Sequence, residues 1–187
     1  MTESTSRDSV SLQENFHQAG PDLSLQKREE LQATIKALPE FAVKNPPGMQ
    51  AVTEQLAKHS DVDVRLDLVQ AITGHRLYNA AGDKALNSLV TDPSILVREA
   101  FAKKAESPIV QGDIHTTAKS QGDIVTLCAL AENPKLNAGV QQRLLEDKDP
   151  DVLYRLAANK GLDVFNARGF VDKNIISDSK GRILSNL

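Results

Sequence analysis

Short aliphatic runs alternate with polar turns along most of the chain. Apolar residues recur three or four positions apart, and the runs are separated by Pro, Asp, Asn or Ser. This pattern predicts helices and places no strand in the middle of the chain. The predicted helices cover about residues 25–38 (ending at Pro39), 48–58, 64–73, 83–90, 95–105, 107–118, 124–132, 137–145 and 163–171, with a further short run between residues 150 and 159.

One motif occurs twice between residues 124 and 160. An apolar run ends in Leu-Ala-Glu-Asn-Pro at residues 130–134, and the next ends in Leu-Ala-Ala-Asn at residues 156–159. The second helix of each predicted pair aligns on a leading valine, at spacings of 33, 28 and 27 residues. These valines are Val64, Val97, Val125 and Val152. One pair cannot bury its apolar face alone, so this period predicts an all-α solenoid of about five stacked antiparallel helix pairs.

Composition divides the chain into three parts. Residues 1–24 are polar and Ser-rich and predict a disordered N-terminal tail, residues 25–172 form the predicted repeat domain, and residues 173–187 form a loose C-terminal tail. The net charge of -3 predicts no general attraction to phosphate backbones or anionic membranes. No apolar run approaches the roughly 20 residues of a membrane helix, and the N-terminus has no apolar signal region, so we expect a soluble, cytoplasmic protein.

Two groups of residues carry a family resemblance. DVDVR at residues 61–65 and DPSILVR at residues 92–98 resemble HEAT-type repeats, and residues 130–159 resemble leucine-rich-repeat-variant units. Together they cover about residues 47–160. The resemblance implies an α-helical repeat fold of bacterial type and leaves the function open, because both families serve many purposes.

The chain departs from these families in two ways. No cysteine precedes Cys128, so the cysteine-rich cluster of some leucine-rich-repeat-variant proteins cannot be carried over. Thr126 and Leu153 stand where the earlier units have Arg65 and Arg98. In the resembling families such arginines more often bond the preceding repeat than a partner, and stacking in the second half must rely more on aliphatic contacts.

The residues indicate no catalytic, metal or cofactor site. The histidines never lie three or four positions from one another or from the single cysteine, and they are His17, His59, His75 and His115. Cys128 lies among small and aliphatic residues and is expected to be a buried, inert thiol. Seven aspartates fall at predicted helix starts, where capping explains them, and these are Asp61, Asp63, Asp83, Asp92, Asp123, Asp149 and Asp163. We therefore expect a protein that is not an enzyme and takes no small-molecule substrate.

A partly apolar stripe is predicted on the second helices, two positions after each aligned valine. Leu66, Glu99, Leu127 and Tyr154 occupy these positions. Such a stripe favours a non-catalytic protein–protein interaction module that binds an unidentified partner on its concave surface, with an inhibitor or immunity-type protein as a narrower form. The other possibility is that neighbouring repeats cover it. The full set of predicted contacts is Leu66, Arg98, Glu99, Lys103, Leu127, Tyr154 and Arg155.

The alternative hypothesis is a nucleic-acid-binding protein or a DNA glycosylase-like enzyme, since some HEAT-repeat proteins have that activity. The negative net charge and the absence of Trp argue against it, because a displaced base needs aromatic side chains to hold it. The basic residues around Lys103 and Lys104 are interrupted by glutamates, which is typical of a solvated helix face.

Overall fold

The computed structural model describes residues 27–163 and 165–168, and every regular element within these ranges is an α-helix. The helices are α1 (Arg28–Lys44), α2 (Pro46–Ala57), α3 (Val62–Gly74), α4 (Tyr78–Ala81), α5 (Asp83–Val90), α6 (Ile95–Lys104), α7 (Pro108–Gln121), α8 (Ile124–Ala131), α9 (Ala138–Asp147) and α10 (Pro150–Ala157). Residues 165–168 form one more helical turn. The all-α prediction is confirmed for these residues, and the two predicted tails lie outside them.

Side-chain oxygens start several helices, as the acidic residues predicted. The Asp149 carboxylate accepts the backbone N–H groups of Asp151 at 3.0 Å and Val152 at 3.2 Å. Asp61 and Asp123 cap α3 and α8 in the same way. Each cap satisfies a backbone donor that the helix leaves without a partner.

Helix α1 continues through Pro39, so the prediction that this proline ends the helix is wrong. An interior proline removes one backbone donor and crowds the preceding turn, yet α1 continues past it to Lys44. The Phe41 ring lies against Gly48 at the start of α2, and the Asn45 side chain accepts the Gly48 N–H at 3.2 Å. A side chain at Gly48 would collide with Asn45, so this turn depends on glycine.

The described residues divide between Leu89 and Val90 into two compact units. In the first unit α1 packs on α2 and α3, and α2 packs on α3 and α4. Its core contains Leu31, Leu38, Met49, Leu56, Leu68 and Ile72. In the second unit α8 packs on α6, α7 and α10, while α9 packs on α7, α8 and α10. Its core contains Val97, Phe101, Leu130, Leu144, Val152 and Leu156.

Two asparagines in the second unit make equivalent hydrogen bonds 26 residues apart. Asn133 Nδ2 donates to the carbonyls of Ala102 at 2.9 Å and Ala105 at 2.7 Å. Asn159 Nδ2 donates to the carbonyls of Ala131 at 2.7 Å and Asn133 at 2.8 Å. Each amide therefore ties the turn after one helix to the end of the corresponding helix before it.

Two buried or partly buried glutamine contacts repeat in the same way. Gln111 Oε1 accepts the backbone N–H of Asn137 at 2.8 Å, and Gln141 Oε1 accepts that of Asp163 at 2.8 Å. Asn137 and Asp163 are again 26 residues apart. The side-chain oxygen of each accepts the backbone N–H of the residue two positions later in the chain. The 26-residue spacing of Asn133 and Asn159 thus recurs in Asn137 and Asp163.

The N-caps correct the predicted alignment of α8. Counted from Asp61, Ser94, Asp123 and Asp149, the third residue of each helix is buried. These residues are Val64, Val97, Thr126 and Val152. Val125 is 46% exposed, so its predicted burial is wrong. Thr126 fits the same space because its Oγ1 donates to Asp123 Oδ2 at 2.6 Å, which satisfies the buried hydroxyl.

Candidate protein-binding cleft

An open cleft of about 580 Å³ lies on one side of the second unit, across α6, α8 and α10. Helix α8 packs against both of the others, so the three exposed faces adjoin. The cleft is lined by Glu99, Lys103, Ile124, Val125, Cys128, Ala129, Glu132, Asp151, Tyr154 and Arg155. Its volume is within the range of about 300–1,000 Å³ that is usual for ligand sites.

Several cleft residues are exposed apolar side chains. Val125 is 46% exposed and Tyr154 is 49% exposed. The first two residues of α6, Ile95 and Leu96, stand at the same positions after the N-cap as Ile124 and Val125 in α8. Leu96 is 57% exposed although it does not line the cleft, so apolar surface continues along α6 beyond the cleft itself.

A chain of ion pairs crosses the three helices. Lys103 Nζ lies 2.7 Å from Glu99 Oε1 and 3.4 Å from Glu132 Oε2, and Arg155 pairs with the other oxygen of Glu132. The pKa of Lys103 is raised, mainly by its hydrogen bond with Glu99, although burial opposes this effect. Both cations of the cleft are therefore already bonded to glutamates.

The remaining acidic group, Asp151, is exposed on the first turn of α10, and the described residues offer its carboxylate no ion pair. Its charge reaches the half-buried Cys128 thiol. Burial is the main cause of the raised pKa of Cys128; Arg155 opposes it, while Asp149, Asp151 and Glu132 add to it. The thiol is therefore a poor nucleophile, because burial disfavours its thiolate form.

A second hollow of about 310 Å³ adjoins the cleft and shares three of its residues. It follows the turn after α10 and is lined by Glu132, Pro134, Tyr154, Arg155, Ala158, Asn159 and Lys160. Tyr154 and Arg155 thus contribute to both hollows. The two hollows together form one continuous concave surface on either side of Tyr154 and Arg155.

Four of the seven predicted contacts line the cleft: Glu99, Lys103, Tyr154 and Arg155. Leu127 does not, because it is only 3% exposed. Its expected exposure is wrong for the same reason as the burial of Val125: the predicted alignment of α8 is displaced by one residue. With the N-caps aligned, Cys128 takes the position of Glu99 and Tyr154.

Arg98 has a structural position instead of lining the cleft. Its Nε lies 2.8 Å from Asp123 Oδ2, and its Nη1 donates to the Asp92 carbonyl. Arg65 likewise donates to the carbonyl of His59 at 2.6 Å. Both arginines thus bond within the protein, to carbonyls of the turn before their own helix, and Arg98 also reaches the start of the following helix, α8. Leu66 is half-buried in the first unit.

Sequence reasoning missed six of the ten cleft residues: Ile124, Val125, Cys128, Ala129, Glu132 and Asp151. The signal for Ile124 and Val125 lies in the order of residues after the cap. A large apolar pair follows the cap in both α6 and α8, although the first turn of a helix usually carries polar or acidic residues. An apolar pair at that place leaves large aliphatic side chains exposed at the start of two adjacent helices.

Other titratable groups meet where α7 and α9 pack. His115 Nε2 lies 2.7 Å from Asp147 Oδ2, and Lys119 pairs with the other oxygen of that carboxylate. Within the ranges 27–163 and 165–168, three or more His, Cys, Asp or Glu side chains nowhere gather in a way that could hold a metal ion. None of the helices described is long and apolar enough to span a bilayer.

Comparison with known proteins leaves the function to be argued from this geometry. No family model, no curated protein and no solved structure matches the chain. The packing of α6, α8 and α10 and the chemistry of their cleft are therefore the physical basis for assigning a function.

Proposed function

We propose that this protein is a non-catalytic protein-binding module and that the cleft on α6, α8 and α10 receives its partner. The observation that carries this proposal is the exposure of large apolar side chains at equivalent positions of adjacent helices. Val125 and Leu96 are 46% and 57% exposed, and Ile124 and Ile95 precede them. Contiguous apolar surface with a charged border is the usual composition of a protein interface.

A protein suits this surface better than a small ligand. The apolar positions extend from the cleft to Leu96, and the second hollow extends it past Tyr154 toward Lys160. Such a surface is longer than one compact pocket. A folded domain or an extended segment of a partner could contact all of it.

We further propose that the helices belong to an α-solenoid of stacked antiparallel pairs, of the HEAT or leucine-rich-repeat-variant kind. The hydrogen bonds of Asn133 and Asn159 support this, because they recur after 26 residues with the same donors and the same kind of acceptor. The position of α8 between α6 and α10 also supports it. In a solenoid the second helices line the inner surface, which many such proteins use for binding.

The state of the polar groups supports a binding role over catalysis. Lys103 and Arg155 are each held by a glutamate, and burial raises the pKa of Cys128, so the cleft offers neither an unpaired amine nor a thiolate as a nucleophile. The same pairing disfavours nucleic acid, because a phosphate would have to break these ion pairs to reach a cation. An inhibitor or immunity-type protein is a narrower proposal that this surface would suit.

Capture from an extract of the native host tests the proposal. The bait is the full chain, compared with Val125→Asp in the cleft and with Ile109→Asp on α7. Ile109 is a suitable control because it is 77% exposed and lies outside the cleft. We expect one protein to be retained in stoichiometric amount by the wild type and by Ile109→Asp, and to be lost with Val125→Asp.

Two results would contradict the proposed function. One is the absence of any stoichiometric partner on the wild-type bait. The other is a partner that Val125→Asp retains as well as the wild type does. Far-ultraviolet circular dichroism of each bait shows whether a loss of binding comes from a loss of helix.

A further inference from the structure

We propose that the partner places in this cleft a segment in which aliphatic side chains stand next to a lysine or arginine, and that the basic group pairs with Asp151. This inference rests on the proposed function and adds the chemistry of the partner to it. The cleft accounts for both features of this partner segment. Its exposed apolar residues favour the aliphatic side chains, and its balance of charges favours the basic group.

The aliphatic half follows from the exposed side chains. Ile124 and Val125 line the cleft, and Ile95 and Leu96 repeat the same pair one helix away. These are aliphatic groups without hydrogen-bonding capacity, so apolar side chains of a partner are what they can bury favourably. Each buried methylene contributes roughly 0.8 kcal/mol, and a few side chains supply a useful affinity.

The basic half follows from the balance of charges. The cleft holds three carboxylates, Glu99, Glu132 and Asp151, and two cations, Lys103 and Arg155. Both cations bond to glutamates, which leaves Asp151 as the carboxylate without an ion pair among the described residues. The local charge is therefore negative next to the apolar floor.

The Cys128 thiol lies close enough to the charged groups of the cleft to be affected by them. Among the charged groups that act on the thiol, only Arg155 lowers its pKa, whereas Asp149, Asp151 and Glu132 all raise it. Asp151 is thus close enough to the cleft for its charge to act on the Cys128 thiol. A cation bound beside Asp151 would be stabilised by that carboxylate.

Other segments fit less well. An acidic segment would face Asp151 and find both cations occupied. A wholly apolar segment would cover Asp151 and remove its water without supplying a partner, which costs free energy. A lysine or arginine avoids both costs, because its methylene stem contacts apolar surface while its head reaches the carboxylate.

Peptide display on the immobilised full chain tests the inference directly. A random peptide library is selected in parallel on the wild type, on Asp151→Lys and on Asp113→Lys. Asp113 is an exposed carboxylate on α7 outside the cleft, so its reversal changes the net charge equally. We expect aliphatic–basic peptides from the wild type and from Asp113→Lys. On Asp151→Lys the basic position should be lost or replaced by an acidic one.

The peptide most enriched on the wild-type protein is then used to measure how much affinity depends on Asp151. Carrying a fluorophore, it should bind Asp151→Lys at least about tenfold more weakly than the wild type, and Asp151→Asn by a smaller factor. Binding to Asp113→Lys should change by less than about twofold. Asp151→Asn guards against a folding defect in the lysine variant, since it adds no positive charge to the helix start.

The outcomes separate this inference from the proposed function. Two outcomes would overturn the proposed partner chemistry without contradicting the binding role. In one, the selected peptides lose binding to Val125→Asp but show no preference for a basic residue. In the other, they bind Asp151→Lys as well as they bind the wild type. Selection of no Val125-dependent peptide would overturn the inference as well. The proposed function is then decided separately by the capture of a folded partner.

Discussion

The side chain of Arg98 on α6 reaches the carboxylate that starts α8: its Nε lies 2.8 Å from Asp123 Oδ2. The same carboxylate accepts the backbone N–H of Thr126 at 3.1 Å and its hydroxyl at 2.6 Å. One acidic side chain therefore caps a helix, satisfies a buried hydroxyl and joins two adjacent helices. It holds in place two of the three helices that form the cleft.

This arrangement predicts a pH-dependent contribution to stability. Burial raises the pKa of Asp123, but the bonds from Thr126 and the charge of Arg98 outweigh it, so the pKa is lowered on folding. The stabilisation is thus fully present above the unfolded pKa, about 3.9, and is lost as pH falls through the lower folded value. At pH 7 we expect Asp123→Asn to reduce the free energy of unfolding by about 1–3 kcal/mol.

Urea unfolding between pH 7 and pH 3 checks this prediction. The difference between wild type and Asp123→Asn should shrink only below about pH 4. The control is Asp113→Asn, an exposed carboxylate on α7, which should change stability by less than about 0.5 kcal/mol. A difference that stays constant down to pH 3 would be evidence against a lowered pKa at Asp123.

The repeated asparagines predict unequal losses at equivalent positions. Asn133 is 1% exposed and donates to the carbonyls of Ala102 and Ala105, while Asn159 is only half-buried. We expect Asn133→Ala to cost about 2–4 kcal/mol, since it leaves buried carbonyls unpaired. Asn159→Ala should cost less because water can reach its partners. Thermal unfolding of both variants measures this, and equal losses would contradict it.

The alignment of α8 on its N-cap predicts opposite results for two valines. Val97 is completely buried, so Val97→Ala should cost about 2 kcal/mol. Val125 is exposed, so Val125→Ala should change stability by less than about 0.5 kcal/mol. Urea unfolding distinguishes the two directly. If Val125→Ala lost as much stability as Val97→Ala, Val125 would be a buried residue and the alignment on valines would be correct.

The raised pKa of Cys128 predicts slow alkylation. At pH 8 the thiol should react with iodoacetamide more slowly than free cysteine, because less of it is thiolate and part of it is covered. Asp151→Asn removes a charge that raises this pKa, so we expect faster reaction at the same pH. Mass spectrometry follows the single cysteine, with Asp113→Asn as the control. An unchanged rate in Asp151→Asn would show that its charge does not reach the thiol.

Local interactions explain the parts of the fold that could be predicted. Aliphatic spacing identified most helices, and the carboxylates of Asp61, Asp123 and Asp149 start helices where capping predicted them. The short helix α4, Tyr78–Ala81, escaped because four residues show no period. Pro39 was misjudged because a proline weakens a helix without always ending it, and α1 continues past it to Lys44.

The cleft was only partly predictable for a related reason. Glu99, Lys103, Tyr154 and Arg155 were found because they lie at surface positions of a regular helix period. Leu127 was misplaced because hydropathy favours Val125 over Thr126 as the buried residue. Only the Asp123 carboxylate, by accepting the Thr126 hydroxyl, makes burial of the threonine favourable.

The amino-acid sequence by itself determined the helical class, most helix starts and the recurrence of one motif, because caps and apolar periods act over a few neighbouring residues. The tertiary structure decided which face of α8 is buried, that Arg98 serves packing, and that Asp151 has no ion pair among the described residues beside exposed aliphatic side chains. Those outcomes depend on how helices from separate parts of the chain pack, with α6 and α10 both against α8, and no local pattern contains the resulting distances and charges.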